Sequence, residues 1–173
     1  MKRLVVAGAV ILLAGWAGTS PAVAGETSVV GTWKLLVFER HSPDGEVSEP
    51  FGPSPHGSLT YTASHRMSVH LLQPGRPAVE AGTFREGTDE EVRAAVEGYF
   101  GYYGTYSLDV EEGEGIVTGS VTHHVEGCAL PNYVGTDRTR SLELEDDRLV
   151  LTTPRETGDE TIAWYRVVWE RLP

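Results

Sequence analysis

The sequence is short of the residues on which several function classes depend. It has one cysteine, Cys128, so no disulfide can form within the chain and no paired-cysteine metal or redox motif exists. Cys128 lies between Gly127 and Ala129 with no basic neighbour, and it reads as a small packed residue in place of a low-pKa nucleophile. Only Lys2 and Lys34 are lysines, and 14 basic side chains face 25 acidic ones, a formal charge of −11. Phosphate backbones and anionic membrane surfaces are bound by clustered cations, so both nucleic acid and anionic lipid are argued against as partners. Neither a glycine-rich phosphate cradle nor a Gly-x-Ser-x-Gly elbow is present, which leaves nucleotide binding and serine-hydrolase chemistry without support, and no cofactor is expected.

Long apolar runs are also scarce. Residues 1–24 combine a positive start at Lys2 and Arg3, an apolar stretch over 4–16, and small residues at Ala22 and Ala24, the pattern of a cleaved secretory leader. The apolar stretch falls short of the roughly 20 residues that a spanning helix needs, so stable membrane insertion after cleavage is not expected. The protein is therefore expected to be secreted or periplasmic. Residues 25–173 form one domain, large enough to bury a core without disulfides.

What the sequence has in quantity is alternation of period two. Residues 29–41, 58–62, 66–72, 102–110, 115–126, 135–145, 148–153 and 160–171 read as eight strands, separated by turn chemistry such as Ser42-Pro43-Asp44-Gly45 and Asp146-Asp147. One segment, residues 88–101, departs from this after the third strand. Thr88 and Glu91 make a capping box, and Val92, Ala95, Val96, Tyr99, Phe100 and Tyr103 form an apolar stripe at helical spacing, with closure expected near Gly101 or Gly104. An open eight-stranded antiparallel sheet would leave two unpaired edges, whereas a closed one has none and is just wide enough for packed side chains or one small ligand. A two-layer sandwich is the competing arrangement.

The residues themselves now carry a resemblance. Gly31-Thr32-Trp33 is similar to the Gly-x-Trp signature of lipocalins. The stretches GTWKL (31–35), EPFGPSPHGSLTYT (49–62), RMSV (66–69), EGYFGYYGTY (97–106), VTHHVEG (121–127), PNYVGTDRTR (131–140), LVLTTP (149–154) and VVWER (167–171) resemble the bacterial and fungal lipocalin-like domain family. That resemblance implies an all-β, eight-stranded up-and-down barrel in which Trp33 plugs one end, with Arg171 or Arg166 packing across its indole.

Strand parity nominates the site. Arg138 and Arg140 share a face with Leu142 and Leu144 and should point inward, where a guanidinium needs an internal acid, Glu126 for example, or an anionic ligand. His123 shares a face with Val117, Val121 and Val125, and His124 takes the opposite face unless a bulge near Gly127 exchanges them. Because adjacent strand residues diverge, His123, His124 and Glu126 are not expected to hold a metal. The candidate ligand-binding set is Tyr61, Tyr103, Tyr106, His123, Asn132, Arg140 and Trp169. Two functions fit: an exported binding protein for a small hydrophobic or amphipathic molecule, or a cofactor-independent cyclase or isomerase in which His123 and Arg140 handle protons or charge.

Overall fold

The computed structural model describes residues 29–153 and 163–173. The leader expected over 1–24, and the start of the last expected strand at 160–162, lie outside the described residues. The strands are β1 (Gly31–His41), β2 (Val47–Ser48), β3 (His56–Tyr61), β4 (Arg66–Leu72), β5 (Tyr99–Gly113), β6 (Ile116–Cys128), β7 (Asp137–Glu145), β8 (Arg148–Thr152) and β9 (Trp164–Arg171). A helix, α1 (Asp89–Glu97), precedes β5, and a single 3-10 turn covers Pro131–Tyr133.

Each strand from β3 onward pairs antiparallel with the next, and β9 returns to pair with β1 from Trp33↔Arg171 to His41↔Trp164. The sheet is therefore a closed eight-stranded barrel and not a sandwich. The two-residue β2 joins the far end of β1 at Arg40↔Ser48, beyond the stretch of β1 that pairs with β3. The proline-rich segment between β2 and β3 cannot supply a continuous ladder of N–H donors, which explains the interruption.

One end of the barrel is plugged. Trp33 is fully buried, its indole N–H donates to the Val29 carbonyl at 3.1 Å, and the Arg171 guanidinium lies 4.1 Å from its ring centroid. The same guanidinium donates to the Val30 carbonyl at 2.9 Å, so Arg171, and not Arg166, covers the plug. Arg166 instead reaches Glu39 at 3.4 Å. Gly31 has φ +151°, and a Cβ there would lie 2.8 Å from Arg171 Nη1. The glycine of the signature thus leaves room for the arginine that closes the tryptophan in.

Two strands carry an extra residue, and both irregularities matter for the interior. In β1 the pairing with β9 steps from Leu35↔Trp169 to Val37↔Val168, leaving Leu36 unpaired. Trp33 and Leu35 face the core below this bulge, and Phe38 and Arg40 face inward above it. In β6 the pairing with β5 steps from Tyr103↔Gly127 to Gly104↔Val125, leaving Glu126 as the extra residue. A Cβ on Gly104 would lie 1.9 Å from the His124 carbonyl oxygen, so the two backbones meet there in a way that only glycine allows.

The helix is shorter than its apolar stripe suggests. Its start is as expected: Thr88 Oγ1 accepts from the Glu91 N–H at 3.3 Å while Glu91 accepts from the Thr88 N–H at 2.8 Å. It ends at Glu97 with Gly98 as its cap, and Arg76 donates to the Ala95 carbonyl at 2.7 Å. Tyr99, Phe100 and Tyr103, expected on the helix, belong to β5. In the run from Tyr99 to Tyr106, alternation with backbone pairing to β4 outweighs helical spacing, since aromatic residues favour a half-buried pleated surface.

Losing the Arg171 contact should matter energetically. Arg171→Ala is expected to destabilise the barrel by about 1–2 kcal/mol in urea unfolding. Gly31→Ala should also destabilise, and by less in an Arg171→Ala background than in the wild type, because the steric component disappears with the guanidinium. Equal costs in the two backgrounds would show that Arg171 does not set the glycine requirement.

Candidate functional site

Above the tryptophan plug the barrel does not fill completely. A cavity of about 570 Å³ remains, walled by side chains from nearly every strand and reaching α1 and the 3-10 turn. Phe38, Leu59, Val69, Leu71, Leu151 and Val167 supply much of its apolar surface. Phe51, Tyr133 and Tyr165 add aromatic faces, with the Phe100 and Tyr133 rings edge to face at 5.5 Å. The half-exposed Val96 and Leu130 belong to the same lining, so the cavity is walled at one side by the helix and the segment after β6.

The polar part is compact. His123 is 2% exposed, and both ring nitrogens are engaged: Nε2 lies 2.6 Å from the Tyr61 hydroxyl and Nδ1 2.7 Å from the Tyr102 hydroxyl. Burial, with the nearby Arg140 charge and then His124 adding to it, lowers the His123 pKa to about 3, so the imidazole is neutral. Burial likewise raises the Tyr61 hydroxyl well above the usual phenol range and the Tyr102 hydroxyl to about 12. The neutral imidazole and its two protonated phenols therefore keep one charge state across ordinary pH.

Arg140 lines the cavity. Its guanidinium donates to the Thr139 carbonyl at 2.8 Å, and no carboxylate among the described residues pairs with it. Glu126, the internal acid considered from the sequence, is on the outside of the barrel in a two-pronged ion pair with Arg66 at 2.7 Å. The extra residue in β6 is Glu126 itself, beyond the histidine pair, so the bulge does not exchange the two histidines. His124 is on the outer face, with Nδ1 2.7 Å from Asp137 and Nε2 3.0 Å from the Ser107 hydroxyl. His123, His124 and Glu126 thus point to different partners and are not gathered into one cluster.

The other nominated residues divide by depth. Trp169 lines the cavity, with its buried indole N–H lacking a partner among the described residues. Tyr61 is just outside the wall, behind His123, and Tyr106 packs on Tyr61 at 4.7 Å and donates to the Thr62 carbonyl. Tyr103 is 52% exposed on the outer face, and Asn132 is exposed on the 3-10 turn outside the wall. Both depart from their expected positions, Tyr103 because β5 replaces the end of the helix. Arg138 points inward only as far as Tyr133, with its guanidinium 3.6 Å from that ring centroid. Cys128 is partly buried against the core, in keeping with a packing role.

Tyr102 was missed in the sequence reading of the site, although it shares strand parity with Tyr106 and that signal was available. Phe38 could not have been found by parity, because the bulge at Leu36 reverses it.

Comparison with known proteins follows the same line. A family model described as a lipocalin-like domain matches residues 30–172. A protein of Aspergillus oryzae named as a 4′-hydroxy-3′-methoxypropiophenone carrier is 32% identical over 110 residues, an alignment covering 62% of this chain and 97% of that protein.

The lowered His123 pKa has a sign that can be tested. Below about pH 6.5 the unfolded chain protonates this imidazole, while the folded chain resists until about pH 3. Folding stability therefore falls as pH drops through that interval, by up to about 1.4 kcal/mol per pH unit from this group. His123→Gln should show a shallower loss between pH 6.5 and pH 4 in chemical unfolding; parallel slopes would mean that the imidazole titrates as if exposed.

Proposed function

The chain belongs to the lipocalin-like domain family, and on that premise we propose that it is an exported carrier that encloses one small, mainly apolar molecule inside the barrel. The observation that carries this reading is the cavity of about 570 Å³ with mainly aromatic and aliphatic walls and a few polar side chains, His123 and Arg140 among them. Sites of that size and lining suit a single small organic ligand. The carrier named for the Aspergillus relative, whose ligand is an aryl ketone, supports the same class of occupant. Export rests on the leader pattern of residues 1–24.

The geometry favours holding over turnover by His123. A general base needs a free nitrogen within hydrogen-bond reach of the proton it takes, and both nitrogens of His123 already face phenol hydroxyls.

Calorimetric titration with 4′-hydroxy-3′-methoxypropiophenone should show saturable binding of one molecule. Val167→Phe, which fills part of the cavity, should weaken that binding by about tenfold or more. Binding that is insensitive to this change would place the ligand elsewhere. Protein recovered from its own host should have an intact mass beginning at Gly25, and a mass retaining Met1 in the extracytoplasmic fraction would remove the cleavage reading.

A further inference from the structure

The hydrogen-bond directions around His123 follow from counting protons. A neutral imidazole has one N–H donor and one bare acceptor nitrogen, so of its two phenol partners one donates and the other accepts. Tyr61 is 1% exposed and does not line the cavity, and its hydroxyl has the His123 ring as its one hydrogen-bond partner among the described residues. Were Tyr61 to accept from Nε2–H, its own O–H would be buried without an acceptor, a costly arrangement. Tyr61 therefore donates to Nε2, which puts the ring proton on Nδ1 and makes Tyr102 the acceptor of Nδ1–H. The Tyr102 O–H is then the end of the relay, and Tyr102 lines the cavity.

A second observation points the same way. Trp169, on β9 across the barrel, lines the same cavity and is 2% exposed, and its indole N–H has no partner among the described residues. Indole nitrogen can only donate, and so can the guanidinium of Arg140. The cavity lining thus offers an O–H, an N–H and a cationic fork, and the one side-chain carboxylate in that lining among the described residues is Glu97, at the end of α1.

We propose that the cavity selects ligands carrying a carbonyl oxygen, which accepts from the Tyr102 hydroxyl directed by the Tyr61–His123 pair, while the Trp169 indole N–H and Arg140 offer further donors elsewhere in the lining. This rests on the reading of the cavity as the ligand site and adds to it the functional group that the site recognises. His123 and Tyr61 are positioning residues: they act through Tyr102 by fixing which way its proton points. A ligand with only donors to offer would leave all three groups unmatched, and a pure hydrocarbon would strand them in an apolar enclosure.

The test uses the full-length mature protein and has two arms. Nitrogen NMR of the histidine rings in the ligand-free protein should show His123 as the Nδ1–H tautomer, and the Nε2–H tautomer would overturn the proposal without reference to any ligand. Propiophenone and propylbenzene, which share a carbon skeleton and differ in the carbonyl, are then titrated in parallel. The wild type should bind propiophenone about tenfold more tightly, and the preference should shrink severalfold in both Tyr102→Phe and His123→Phe. Equal wild-type affinities for the two probes would overturn carbonyl selection while leaving the carrier reading in place. If neither probe binds, the carrier reading fails and carbonyl selection falls with it.

Discussion

A barrel of eight strands keeps an interior space only if something stops it from collapsing at one end and something polar keeps it from filling at the other. Here the first condition is met by one stacked contact, Trp33 beneath Arg171, at the place where the first strand meets the last. The indole is fully buried, the guanidinium binds the Val30 carbonyl, and Gly31 makes space for both. The β1–β9 pairing runs from this contact, Trp33↔Arg171, past Leu35↔Trp169 to His41↔Trp164. A closed sheet also has no free edge through which the alternating apolar faces could pair with another chain.

The second condition is met by an almost fully buried imidazole in the cavity wall. Burial alone would make such a group expensive, and the two phenols offset that by engaging both nitrogens. The three residues come from β3, β5 and β6, so the network ties together strands that are not all neighbours. Most of the remaining wall is apolar, with Arg40, Glu97 and Thr153 among the exceptions.

Much of this was legible from strand parity. Alternation placed His123 with Val121 and Val125, and Arg140 with Leu142, on the inner face, and both are in the cavity wall. The Gly-x-Trp signature and the capping box at Thr88 were equally readable, because each depends on residues close in sequence. What was not legible came from places where one residue shifts a pattern. Leu36 reverses the inward set of β1, so Phe38 and Arg40 enter a cavity that a uniform strand would turn them away from. Tyr99, Phe100 and Tyr103 fit a helical stripe and a strand equally well by spacing, and only the pairing with β4 decides between them. Tyr103 consequently faces solvent and Tyr102 faces His123. Glu126 has the parity of His124, and its carboxylate is outside with Arg66, so alternation by itself already spoke against it as the internal acid.

The proton network also bears on how cargo could leave. His123 gains a proton only near pH 3 and Tyr102 loses one only near pH 12, and a guanidinium stays charged throughout. In the carrier proposed here, His123 and Tyr102 therefore keep the same protonation between about pH 3 and about pH 12. For the proposed carrier this turns attention from the imidazole to the rim, where the half-exposed Val96 and Leu130 line the cavity beside Tyr133.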